Sequence, residues 1–452
     1  MKRYEYHKAT EIPWVSQVPS HWSFIRNANI LTLKHSVVGK RFMQYDLLSL
    51  TTGGIKIKNA DDSRGKVPAS FEGYQEVLPG DMVFCLFDLD CSAVFSGKSE
   101  YHGMITSAYD VAVPNLSLVS SSYLDYWFRA VFSGRYYKIY SKSVRYTINW
   151  DIFKALKTPV PPREEQDQIV RYLDWQMSKI NRLIAAKRKE IALLKEHRTA
   201  KINQAVTTGI HCDTQLAYTG YNWLPYAPAN WKPVPAKALF RNITELRRLD
   251  DSMLAATQKY GLIEQTEYMR LEGRRIVLAN DNLDKWLHTE PNDFIISLRS
   301  FQGGLEMCSK PGCVTWHYVV LRSQRNIYPD FYKWFFKSAA YIGALQKTSD
   351  FIRDGQDLRF SNFVKVGLFI IPMDEQREIA EYLNREIPKY DVAISNLEKQ
   401  IDQITELRTR LISDVVTGQI DVRGIKVPDD EYINNEITEE EFEEESENNE
   451  EE

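Results

Sequence analysis

Three short stretches of this 452-residue chain carry residue types that could do chemistry. "SAVFSGKS" (residues 92–99) ends like a phosphate-cradling loop, but Ser92 stands where the first glycine of such a loop is required. "CSKPGCVTWH" offers Cys308, Cys313 and His317, yet a zinc site wants four ligands and no second cluster follows. "PDFYK", from Pro329, resembles half of a nuclease Asp/Lys pair, lacks the acidic middle residue, and reads as a helix start. An adenine methyltransferase would need an Asn-Pro-Pro-aromatic target-base motif and a glycine-rich cofactor loop, and neither is present. No nucleophile lies in an evident pairing with a base. These stretches therefore single out no catalytic and no metal-ligating residues.

The chain's organisation is more telling than these stretches. "PPREEQDQIVRYL" begins at Pro161 and "IPMDEQREIAEYL" at Ile371. At this offset of 210, Glu165-Gln166 matches Glu375-Gln376, Ile169 matches Ile379, and Tyr172-Leu173 matches Tyr382-Leu383. The register holds without a gap to "EHRTAKINQAVTTGI" (196–210) and "ELRTRLISDVVTGQI" (406–420). Upstream the echo is fainter: "IPWVSQVPSHWSF" aligns with "YNWLPYAPANWKP", pairing Trp14 with Trp223, Pro19 with Pro228 and Trp22 with Trp231. "LPGDMVFCL" likewise meets "EPNDFIISL", pairing Asp81 with Asp293. Such an internal repeat sets the domain map before any local reading. It gives a first module over 1–162, a helical region over 163–210, a second module over 211–372, a second helical region over 373–420, and a tail over 429–452.

Within the modules, "GDMVFCLF", "MITSAYDVAVP", "NDFIISLR" and "CVTWHYVVLR" are short strand-type runs between turn residues. "SSYLDYWFRAVF" and "PDFYKWFFKSAAYIGALQ" have helical spacing. The fold class expected is α+β, with two tandem α/β modules alternating with two long helices. The tryptophan pairs are expected to pack as core or lid.

The helical regions carry an apolar 3/4 spacing. One seam runs through Leu173, Met177, Ile180, Ile184, Ile191, Leu194 and Ala205, the other through Leu383, Ile387, Tyr390, Ile394, Leu397, Ile401, Ile404, Leu411 and Val415. Lys187, Arg198 and Arg408 interrupt them. Each seam needs a partner, and the other copy can supply it as an antiparallel coiled coil, giving a pseudo-two-fold molecule. Pro388 is uncomfortable in a helix interior, so a break is expected between a short helix near 374–386 and a longer one near 388–416, with Ser178 as the equivalent cap in the first copy. Thirty residues at 1.5 Å rise make a rod of roughly 45 Å. That is comparable to one turn of B-DNA, roughly 34–36 Å.

Composition is that of an ordinary globular protein, 43% hydrophobic and 26% charged. Five scattered cysteines, no membrane-length apolar run and no signal-like N-terminus point to a reduced, cytoplasmic protein. The net charge of −4 averages unlike parts. Residues 429–452 hold 14 acids and no base, leaving 47 acids against 57 bases in residues 1–428, about +10. A tail so acidic and so poor in apolar residues is expected to be solvated and disordered; the sharper alternative is that it competes with nucleic acid for the basic surface or touches a partner.

With these features the chain resembles the specificity (S) subunits of type I restriction–modification systems. The resemblance rests on "VPSHW" and "APANW", the two P-x-x-E-Q-x-x-I-x-x-Y-L copies, the helices ending in "AVTTGI" and "VVTGQI", and the two variable modules. It covers residues 1–428 and does not include the acidic tail. It implies that each module is a target recognition domain reading half of a bipartite DNA sequence, while the paired helices set the spacing. The implied partners are double-stranded DNA, two methyltransferase (M) subunits and restriction (R) subunits, with no membrane. It implies a non-catalytic, DNA-reading chain with no cofactor of its own, S-adenosylmethionine, ATP and Mg being expected on the partner subunits of the adenine methyltransferase/endonuclease complex. The reading from another class is a coiled-coil interaction scaffold that does not read DNA.

Phosphates are met by Arg and Lys, and base edges by Arg, Lys, Asn and Gln. Polar, turn-rich loops are thus the candidate DNA contacts. In the first module these are Lys56, Lys58, Asn59, Arg64, Lys142 and Arg145. In the second they are Gln265, Arg270, Arg274, Arg275, Arg299, Gln302, Arg353 and Arg359.

Overall fold

A computed structural model describes residues 2–58, 70–257, 260–273, 282–297, 300–348 and 358–428. The chain divides into two units, Met1–Lys189 with Glu398–Glu452, and Glu190–Leu397. Each is α+β, and each contains one module with parts of both long helices.

In the first unit, strand Ser23–Arg26 pairs antiparallel with Lys157–Val160, so the two ends of the module meet where the first long helix begins. One four-stranded sheet runs in the order Leu31–Leu33, Asp110–Pro114, Met82–Phe84, Ser96–Lys98. Another runs Gly54–Ile57, Asp46–Thr51, Gly103–Ile105, Gln75–Val77. Helix Ser121–Ser133 lies against the first sheet and buries Tyr123, Leu124, Trp127 and Phe128. The buried core extends through Ile169 and Leu173 to Leu411, Val415 and Val416 of the second long helix.

The second unit repeats this plan. Strand Lys232–Val234 pairs with Leu368–Ile370, ahead of the second long helix. Its four-stranded sheet runs Phe240–Ile243, Val319–Ser323, Phe294–Ile296, Glu306–Met307, the same order of equivalent strands as the first unit's 31–33 sheet. The matched aspartates do the same job in both. Asp81 accepts the Leu78 amide at 2.9 Å and pairs with Lys34 at 3.0 Å. Asp293 accepts the Glu290 amide at 2.8 Å and pairs with Arg322 at 2.7 Å. An aspartate before a core strand therefore closes the tight turn and meets a cation: Arg322 from the neighbouring strand in the second unit, and Lys34, just past strand Leu31–Leu33, in the first.

The long helices span Arg163–Thr208 and Met373–Val416. Glu164, Glu165, Asp374 and Glu375 occupy their first turns, where the exposed amides favour negative charge. Gly209 and Gly418 stop them, both at positive φ, as a left-handed helix end demands. The expected break is not there: Pro388 lies inside a continuous helix, and residues 163–208 run through Ser178 without interruption. The reason is position. Pro388 and Asn384, whose carbonyl loses its amide partner, are both exposed, while the buried stripe continues through Leu383 and Ile387. The lost bond faces solvent and the packed face is intact.

Within each unit the helix segments pair antiparallel. In the first, Asn181 meets Arg408 at 3.4 Å and Lys187 meets Gln400 at 2.6 Å. In the second, Arg198 forms an ion pair with Asp391 at 2.8 Å, too bent at Nε to count as a hydrogen bond. There Ile202, Ala205 and Val206 share a core with Ile379, Ala380, Leu383 and Ile387. Each of the three residues that interrupt the apolar spacing thus makes a cross-helix polar contact. Of the seam residues, Ile180, Ile184, Ile191, Ile394 and Leu397 are buried, while Leu194, Tyr390, Ile401 and Ile404 are half-buried. No helix among the described residues is long and apolar enough to cross a membrane.

Candidate nucleic-acid interface

Each module is bolted to its helix by the duplicated motifs. Trp22 donates its indole N–H to Glu165 at 2.9 Å, and Trp231 donates to Glu375 at 2.9 Å. The following glutamines tie the helix start to the module's loops. Gln166 donates to Pro161 and Leu118 carbonyls and accepts from the Ser120 amide at 2.7 Å. Gln376 donates to the Ile371 carbonyl and accepts from the Tyr328 amide at 2.8 Å. Trp14 stacks on Tyr136, and Trp223 packs against Phe335, Tyr341 and Phe369. These side chains fix modules rather than face a ligand.

The first unit contains a polar groove of about 670 Å³. Its walls are the hairpin turn at Thr52–Gly53, helix Ser121–Ser133, and the facing stretches of the long helices. Five cations line it, Lys98, Arg129, Arg182, Arg188 and Arg408, against three carboxylates, Glu100, Asp125 and Asp174. Two of the carboxylates already have cations: Lys98 pairs with Glu100 at 2.6 Å and Arg129 with Asp125 at 2.9 Å. The third, Asp174, accepts from the Tyr126 hydroxyl at 2.7 Å, and burial pushes its carboxyl above the ordinary range. Arg182 donates to the Ser178 hydroxyl, and Arg408 reaches the Asn181 side chain. The groove therefore carries positive charge suited to a polyanion.

The candidate DNA contacts fall in several places. Lys56 lies on the strand that follows the groove's hairpin turn and Lys58 just beyond it, both half-buried. Lys142 and Arg145 are exposed on a loop braced by the Ser141 hydroxyl on the Thr147 carbonyl at 2.8 Å. Val144, between them, is 98% exposed, so this loop projects. In the second unit Gln265 starts helix Gln265–Glu272 with its side chain buried, a packing position. Arg270 on the same helix is exposed, 3.8 Å from Glu267. Gln302 is half-buried, and Arg359 is exposed at the start of helix Phe360–Phe363. Asn59, Arg64, Arg274, Arg275, Arg299 and Arg353 lie outside the described residues. The groove cations were not among the candidates. Arg408 carried a signal, since it recurs at the same place as Arg198; Arg182 and Arg188 look like any solvated helix face.

The three chemistry-like stretches resolve into structure. Ser96–Lys98 is a strand, not a loop opening a helix, and Pro329 is the first residue of helix Pro329–Phe335. Cys308 and Cys313 are buried, and burial raises both thiols, that of Cys313 to about 11. Among the described residues no group of three or more His, Cys, Asp and Glu could hold a metal ion.

No protein-family model matches the chain. A protein of Methanocaldococcus jannaschii, named as the specificity subunit of the MjaX type I restriction enzyme, is 21% identical over 444 residues, covering 92% of this chain and 97% of that protein. Among solved structures, a chain from work on complex assembly and conformational transition of the type I R-M system superposes with a TM-score of 0.63 at 12% identity. It covers 89% of this chain and 99% of that one. The HsdS subunit of Thermoanaerobacter tengcongensis gives 0.46 at 13% identity, with 89% and 98% covered. The M. jannaschii protein and the first of these structures each align with about nine-tenths of this chain.

Proposed function

We infer that this chain is the DNA-specificity subunit of a type I restriction–modification enzyme. The observation that carries the reading is the duplicated joint: two modules of the same sheet order, each locked to a long helix by a Trp–Glu bond and a buried glutamine. An enzyme needs one active site, whereas a bipartite DNA word needs two similar readers held at a fixed distance. Each module reads one half of the target, and the antiparallel helices set the separation. Phosphate contacts come from the exposed cations, and sequence discrimination from side chains reaching base edges.

The catalytic chemistry belongs to partners. Two methyltransferase subunits, carrying S-adenosylmethionine, dock on the helices and modify adenines, and restriction subunits with ATP and Mg add cleavage. The module boundaries follow the repeat, near 162 and 372. Methylome sequencing of the host tests this, with the gene intact and then deleted. The expected result is a bipartite methylated motif that vanishes on deletion. An unchanged methylome, together with failure of the chain to retain a methyltransferase subunit in a pull-down, would sink the reading.

A further inference from the structure

The sequence just after residue 420 is bound into the fold. Val422 is fully buried and Val427 nearly so, in the first unit's core. Gln168 of the first long helix donates to the Val422 carbonyl at 3.0 Å and to the Ile425 carbonyl at 2.8 Å. The Asp421 amide donates to the Lys2 carbonyl at 2.9 Å, and the Arg423 guanidinium sits 4.8 Å from the Tyr4 ring centre. The chain is thus anchored beside the start of that helix, and the next 24 residues carry 14 acids and no base. The same helix, further along, presents Arg182 and Arg188 to the groove.

We propose that residues 429–452 dock in this arginine-lined groove and compete there with duplex DNA. The proposal rests on the DNA-binding reading above for the competition, and on charge and reach for the docking. From Gln168 to Arg182 and Arg188 is roughly 21 Å and 30 Å along the helix axis at 1.5 Å per residue. Twenty-four residues can extend to about 80 Å, so the tail reaches the groove with length to spare. The five groove cations exceed the three carboxylates, two of which are already paired. An acidic segment of this density presents a row of carboxylates where DNA presents a row of phosphates. Tethering makes even a weak contact count, because a short flexible link holds its end at an effective concentration in the mM range. A tail that binds in trans with a Kd of roughly 0.1 mM would then weaken non-specific DNA binding about ten-fold. Every duplex that must displace the tail from the groove, target or not, is weakened by the same factor.

The test compares the full chain with one ending at Pro428, which keeps the buried 421–427 anchor. Anisotropy of a labelled duplex lacking the target should show about ten-fold tighter binding to the shortened chain at low salt, the gap closing as salt rises. Separately, a labelled peptide of residues 429–452 is titrated with the shortened chain without DNA. It should bind, and it should bind several-fold more weakly to the Arg182→Gln, Arg188→Gln double variant, whose changes are on an exposed helix face. A flat peptide titration, as expected if the tail serves a partner subunit, would overturn the proposal, as would peptide binding indifferent to the double variant. Unchanged duplex affinity on truncation would overturn the competition. If neither chain bound DNA while the peptide still bound, the DNA reading would fail and the docking would stand.

Discussion

The indole N–H of Trp22 meets the Glu165 carboxylate at 2.9 Å across 143 positions of sequence, and the same bond joins Trp231 to Glu375. Trp22 is fully buried, and Glu165 also receives the Tyr4 hydroxyl at 2.5 Å and His21 at 2.7 Å. Two motifs that recur far apart, His-Trp or Asn-Trp in one and Glu-Gln in the other, are the two halves of one joint.

Glu165→Ala leaves two buried donors without an acceptor, so it should destabilise the protein by about 2–4 kcal/mol. Glu375 is half-buried with Trp231 and Asn230 as partners, and its alanine variant should cost about 1–2 kcal/mol. Denaturant melts check both. A cycle with Trp22→Phe should show strong coupling for Glu165; additive effects would mean that the bond contributes nothing.

Pro388 interrupts the hydrogen-bond ladder of a helix that is otherwise continuous. Since its position is exposed, alanine fits without repacking. Pro388→Ala should stabilise the protein by about 1–3 kcal/mol, as the cost of an interior proline is relieved. A lower melting temperature would show that the proline imposes a bend the packing needs.

His288 gives the second unit a pH dependence. Burial would lower its pKa, but bonds to Glu290 at 2.8 Å and Asp251 at 2.8 Å outweigh this and raise it above the ordinary 6.5. Nearby Arg248 opposes them. A raised folded pKa means that this stabilisation is fully present below about 6.5 and is lost as pH rises through the folded value. His288→Gln should therefore be less stable than the parent near pH 6, and the difference should shrink in alkali. Melts across pH decide it.

Lys142 and Arg145 stand on a projecting loop with Val144 almost fully exposed between them. If they meet phosphates, each alanine variant should weaken duplex binding about 2–5-fold regardless of sequence and reduce the salt slope by about one. If instead one reads a base, the loss will be confined to target DNA.

The sequence by itself determined the duplication, the element types, the acidic tail and the resemblance to specificity subunits. These depend on local periodicity and on residues spelled twice in one register, both of which survive in a linear string. It also placed the polar interruptions Lys187, Arg198 and Arg408 correctly on the helices. Their partners, Gln400, Asp391 and Asn181, came only with the fold, because a contact between positions some 200 apart has no local signature. Pro388 misled for a related reason: a proline's propensity is local, but its cost depends on whether the freed carbonyl faces solvent or core. Gln265, polar and loop-like in sequence, proved buried, while Arg182 and Arg188, unremarked on a charged helix, line the groove. Burial and convergence are properties of packing, and packing alone decided which of the many cations could act together.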